Sequence, residues 1–239
     1  MDFLKILKSF EEFVYEALIW LVLVPRTLVR ILVRPRRMAA YAASELDIPS
    51  SEERFGDAVS PPLLLILSVL VAHAIDVALR PQTPDESDTL ARVIFASEQN
   101  LLLYRTIAFG VWSLAGAVFL LIRERVPINR RTLRAPFYEQ CYLVAPFALI
   151  LSIATSFTMR GGDSEDIDVV LGSCLAVLAA LWFCVVQVDW VRIRARLPLW
   201  KSILAAALIL AVGATVNAVV AHVLLGTHVV QPAAKATEH

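Results

Sequence analysis

LLLYRTIAFGVWSLAGAVFLLI (residues 101–122), RERVPINRRTLRAPF (123–137) and YEQCYLVAPFALILSIATSF (138–157) follow one another without a break. The outer two pieces are apolar runs of about 20 residues, the length of helix that crosses a hydrocarbon core ~30 Å thick. The middle piece is short and carries Arg123, Arg125, Arg130, Arg131 and Arg134. The same alternation continues in both directions, with further apolar runs at 62–79, 169–188 and 203–225. The expected fold is therefore all-α: an integral membrane bundle of five transmembrane helices over 62–225.

Composition agrees. The chain has 239 residues, 58% of them apolar, with a mean hydropathy of +0.68. Soluble domains run closer to half apolar. The formal net charge is zero, but the charges are unevenly spread. Residues 1–61 hold eight Lys and Arg, 123–137 five and 189–202 four; 80–100 hold two, 158–168 one and 226–239 one. The segments poor in arginine are acidic, with Asp85, Glu86, Asp88 and Glu98 in one, and Asp163, Glu165, Asp166 and Asp168 in another. Because cytoplasmic loops collect Lys and Arg, the pattern predicts a cytoplasmic N-terminus and an outer, periplasmic C-terminal tail over 226–239. The preference for Arg over Lys, with abundant Ala, Leu and Val, fits a GC-rich genome and a bacterial inner membrane.

Residues 1–33 form their own unit. Phe3, Leu7, Phe10, Val14, Ala17, Leu21, Val24, Leu28 and Ile31 recur at helical spacing, with Lys5, Lys8, Glu12, Glu16, Arg26 and Arg30 on the other side. An amphipathic helix lying in the membrane interface is expected, with Pro25 kinking or ending it. Arg26, Arg30, Arg34, Arg36 and Arg37 would contact lipid headgroups, anionic ones included. The competing reading, a sixth span over 13–33, would carry Arg26 and Arg30 into the bilayer at about 2.5 kcal/mol or more each. Glu11, Glu12 and Glu16, with no small-residue cleavage site after them, do not fit a signal peptide. A short helix over 36–46 and a linker over 47–60 lead to Ser60-Pro61-Pro62, which opens the first span. Together 34–61 make a cytoplasmic helix and linker.

Polar groups inside the spans are the candidate site. Asp76 lies three residues after His73, on one helical face. Arg105 lies near the same end of the next span, and Asn217 and His222 near that end of the last. An Asp76–Arg105 ion pair is expected, with the histidines nearby. The group is either a proton- or substrate-responsive site or a structural clasp, and the clasp is the simpler reading. Toward the basic side, Glu139 stands near Arg134, and Gln187 and Asp189 near Arg192, as a polar rim. Gly172, Ala176 and Ala180 form one small-residue ridge, and Ala207, Ala211, Ala214, Ala218 and Ala221 another. Both are expected inside the bundle, with a homo-oligomer contact as the alternative.

No catalytic residue, metal set or cofactor motif is found. Neither G-x-S-x-G, H-E-x-x-H nor a Walker loop occurs, and Cys141, Cys174 and Cys184 read as packing residues rather than a disulfide framework. Nothing points to nucleic acid, and the chain does not read as an enzyme.

The cytoplasmic N-terminal region, the Val33-Arg34-Pro35-Arg36 segment ahead of the spans and the five closely spaced helices ending outside resemble the Yip1 family of small membrane proteins. That resemblance covers most of residues 30–226. It implies a membrane-organising or lipid-associated role without an established reaction. Expected partners are the lipid bilayer and another membrane protein or a second copy. Three functions stay open: a non-enzymatic scaffold or bilayer sensor, a small transporter or channel subunit using the polar cluster, and a lipid enzyme. A transporter requires Asp76; a scaffold requires residues 1–33.

Overall fold

The computed structural model describes residues 3–50, 54–79, 98–160 and 167–226. Among them the chain forms seven helices: α1 (Phe3–Val33), α2 (Pro35–Glu45), α3 (Pro61–Leu79), α4 (Glu98–Glu124), α5 (Arg130–Arg160), α6 (Ile167–Arg194) and α7 (Leu199–Gly226). The last five each contain a stretch long and apolar enough to cross a membrane. Residues 80–97 and 161–166 of the two acidic segments, and residues 227–239 of the tail, lie outside the described part.

α5 is the hub. Every residue from Glu139 to Ala148 is buried, as befits a helix apolar on all sides and surrounded by others. α3, α4, α6 and α2 pack around it, and α7 closes the outside against α4 and α6. Phe147 of α5 stacks on Phe183 of α6 at 4.3 Å between ring centres, and Trp112 of α4 meets Phe147 edge-on at 5.1 Å. Gly213 on α7 makes room for that indole, whose ring occupies the space a Cβ would need. The outward faces of the spans stay apolar: Ile107, Leu114, Leu181, Val185, Leu204 and Leu208 are all exposed. An apolar surface on this scale needs lipid around it.

Sequence and structure part in three places. First, α1 continues through Pro25 to Val33 instead of ending there. A helix interior tolerates the missing N–H when packing compensates, and just beyond it Thr27, Leu28 and Ile31 are buried. The break comes at Arg34, whose φ of −136° leaves the helical range, as the ring of a following proline favours. Second, Ala207, Ala211, Ala214 and Ala218 face away from the bundle, and Ser202, Ala205, Ala206, Ile209 and Gly213 are the buried side of α7. Within the ridge on α6, Gly172 is buried and Ala180 exposed; a Cβ on Gly172 would come within 2.6 Å of the Ala154 carbonyl of α5. Third, α5 begins at Arg130, about two turns before its apolar run. Asn129 caps it, its Oδ1 accepting from the Arg131 and Thr132 amides at 3.0 Å.

The segment before α3 is tied down rather than slack. The Tyr142 hydroxyl donates to the Val59 carbonyl at 2.8 Å, and Arg30 donates to the Asp57 carbonyl at 3.1 Å. Phe55 sits between Tyr41 and Tyr138 with ring centres about 6 Å apart. Among the described side chains of α1, those that pack into the core lie in its last third, from Leu23 to Ile31. Phe10, Phe13, Leu18 and Leu21 of its earlier turns are exposed.

Candidate functional site

Two polar clusters lie at opposite ends of the bundle. At the end reached by the C-terminal turns of α3 and α5, Arg105 Nη2 of α4 stands 3.0 Å from Asp76 Oδ2 of α3. Ser156 of α5 donates to Asp76 Oδ1 at 2.7 Å. Three helices thus share one carboxylate, which is 8% exposed. His73, one turn earlier on α3, is buried, and its Nδ1 has no hydrogen-bond partner among the described residues. Arg105 Nη1 is likewise buried and has none among them. The structure therefore joins Asp76 to Arg105 and adds Ser156, with His73 one helical turn from Asp76 on α3. Asn217 does not join them: its amide donates to the Ala108 carbonyl of α4 at 3.2 Å and to the Gly213 carbonyl at 2.9 Å, stitching α7 to α4. The side chain of His222 lies outside the described residues.

The second cluster is at the arginine-rich end, where α2 lies across α5 and α6. Glu139 of α5 is 1% exposed. Trp190 Nε1 of α6 donates to its Oε2 at 2.8 Å, and Arg194 Nη2 stands 2.8 Å from its Oε1, an ion pair without hydrogen-bond alignment. Next to Glu139 on α5, Gln140 exchanges two amide hydrogen bonds with Gln187 of α6, 2.7 and 3.2 Å long, with both side chains fully buried. Gly116 of α4 lies over this pair, where a Cβ would meet the Gln140 amide at 2.6 Å.

The sequence neighbours of these groups are not their partners. Glu139 pairs with Arg194 and not with Arg134, because five residues along a helix turn the side chains about 140° apart. Arg134 instead rests over the Tyr138 ring at 5.5 Å. Asp189 pairs with Arg36 of α2, which forks onto both carboxylate oxygens through Nε and Nη2. That contact raises the Arg36 pKa, first through the hydrogen bond and then through the charge of Asp189. On the same helix, burial pushes the Tyr41 phenol up to about 12, with help from Glu45. Of the other arginines expected at headgroups, Arg26, Arg34 and Arg37 are exposed and Arg30 is half-buried.

Between α2, α5 and α6 a cavity of about 410 Å³ opens. Its walls are Ala39, Ala40, Ala43, Leu143, Val186 and Ile193; Arg36, Asp47, Glu139, Asp189 and Arg194 supply its polar groups. A mostly apolar pocket with a few convergent polar groups is the usual form of a small-molecule site, at ~300–1,000 Å³.

Apolar spans around a buried hub, with ionic groups held between helices, define a multi-pass helical membrane protein. No family model, curated protein or solved structure matches the chain.

Proposed function

We propose that this chain is a non-enzymatic, lipid-associated membrane protein that organises the bilayer or a partner at its arginine-rich end, a role in keeping with its Yip1-like layout. The cavity beneath α2 carries the reading. Its apolar walls suit an acyl chain, and its lining also holds Arg36 and Arg194 with Asp47, Asp189 and Glu139. That balance suits a zwitterionic headgroup. The exposed apolar turns of α1, together with Arg26, Arg34 and Arg37, support a helix lying in the headgroup layer, where anionic lipid would gather. On this reading the five spans sit in a bacterial inner membrane with the arginine-rich end in the cytoplasm.

The transporter reading has less support. The cavity beneath α2 lies at the opposite end of the bundle from His73, Asp76 and Arg105. Those residues serve better as a clasp joining α3, α4 and α5.

The test is lipid retention. Ala43→Trp fills the cavity from a position that belongs to no ion pair, and the purified variant should keep its fold but lose most co-purified lipid by native mass spectrometry. Removing residues 1–22, which precede the packed part of α1, should weaken membrane organisation while leaving the bundle intact. Asp76→Asn should leave both properties within about twofold of the parent. Unchanged lipid in Ala43→Trp, or solute flux abolished by Asp76→Asn in a folded protein, would reject the proposal.

A further inference from the structure

Two turns at the arginine-rich end share a sequence pattern. α4 ends in Arg123-Glu124-Arg125-Val126-Pro127, and α6 ends in Arg194-Ala195-Arg196-Leu197-Pro198. Each reads R-x-R, then a branched aliphatic residue, then proline. The backbone repeats as well. Arg125 has φ 57° and Arg196 φ 49°, in the left-handed region that favours glycine. After α4 the turn closes with the Val126 amide on the Leu121 carbonyl at 3.0 Å and the Arg125 amide on the Ile122 carbonyl at 3.2 Å, the reversed-bond pattern that ends many helices. The proline two residues later prevents either helix from continuing.

The two corners line one cavity of about 590 Å³. Arg123, Arg125, Arg194 and Arg196 surround it, against the single carboxylate of Glu124. Arg194 is engaged with Glu139. Arg123, Arg125 and Arg196 have no carboxylate partner among the described residues. Membrane orientation accounts for positive charge at this end. Helix dipoles account for cations at helix C-termini. Neither requires two corners distant in sequence to set four arginines around one shared space, and like charges so placed repel unless an anion joins them. The planar fork of arginine matches phosphate oxygens two at a time.

We propose that the paired corners form a phosphate-recognition basin, taking the dianionic end of a phosphate monoester. This goes beyond the lipid-holding role of the cavity under α2 and stands on different residues, apart from Ile193 and Arg194, which line both. Either a lipid whose headgroup is a bare phosphate or a soluble phosphate ester presents that chemistry.

The full chain would be placed in neutral phosphatidylcholine nanodiscs. One arm adds phosphatidic acid to the bilayer, and a second adds phosphatidylglycerol, whose phosphodiester carries charge without a dianionic end. A third adds inorganic phosphate or pyrophosphate to the solution. Thermal stability and binding are read in each. Response to phosphatidic acid beyond that to phosphatidylglycerol assigns a lipid ligand, and response to the soluble anions assigns a soluble one. Arg125→Gly with Arg196→Gly removes two guanidinium groups while giving each corner the residue its backbone favours, so this variant should fold at least as well as the parent. Its affinity should fall about tenfold or more, as loss of charge-assisted hydrogen bonds would produce. Arg130→Gln with Arg131→Gln removes equal charge nearby but outside the cavity, and should stay within about twofold. No response to any phosphate, equal response to phosphatidic acid and phosphatidylglycerol, or equal loss in both double variants would overturn the basin. The Ala43→Trp variant should bind phosphate normally, so failure here and failure of the lipid cavity are separable.

Discussion

Asp76 owes its place in an apolar span to its neighbours. Arg105 supplies the opposite charge at 3.0 Å, and the Ser156 hydroxyl occupies the other oxygen at 2.7 Å. Removing either charge strands the other among helices, and an unsatisfied buried group costs about 1–3 kcal/mol, more when charged. Asp76→Arg or Arg105→Asp alone should therefore lower expression and thermal stability, and the two together should recover much of the loss, as followed by fluorescence-detected size exclusion. Absence of any rescue would mean the pair contributes nothing. The histidine, aspartate and arginine could be found from sequence because ionisable residues are conspicuous in apolar runs. Ser156 could not. A serine 80 positions away is unremarkable until the α3–α5 contact is known, and Asn217 looked equally eligible yet serves the α4–α7 contact instead.

At the scale of helices, the α5–α6 contact is fastened by Gln140 and Gln187. Their reciprocal amides satisfy each other, so the pair matters chiefly as a pair. Gln140→Leu or Gln187→Leu alone leaves a buried amide without its partner and should destabilise by about 1–3 kcal/mol. The double leucine variant should sit much closer to the parent, since replacing both partners with apolar groups is nearly neutral. Unfolding of the four proteins in matched detergent gives the comparison, and additive losses would show that the amides do not depend on each other. The number of spans was legible because apolar run length is set by bilayer thickness, but the start of α5 at Arg130 was not, since its first two turns are polar. Which face of a helix turns inward was not. The five alanines of α7 suggested a buried ridge, but close packing on that helix comes from Gly213 against Trp112, and lipid accepts alanine as readily as a neighbouring helix does. The amide pair escaped notice for a similar reason: it depends on the register between two helices, which local spacing does not encode.

For the whole molecule, the arginine-bearing segments before α3, between α4 and α5, and between α6 and α7 gather at one end, where they line two adjoining cavities. Reporter fusions after residues 57, 130 and 195 should give a cytoplasmic signal, and fusions after 90 and 164 an external one; an external signal at 130 would invert the threading. The charge count carried this reading without any motif. The order of synthesis gives the Asp76–Arg105 contact a further consequence. The hub helix leaves the ribosome after α3 and α4, so those two must wait in the translocon or in lipid without it. Asp76 then has no help from Ser156, but Arg105 is already present. The first pair of spans brings its own counter-ion and can partition with its charges cancelled, before the scaffold it will clasp exists. A nascent chain stalled after residue 125 should integrate both spans, and Arg105→Leu should reduce that integration far more than it affects α4 inserted alone.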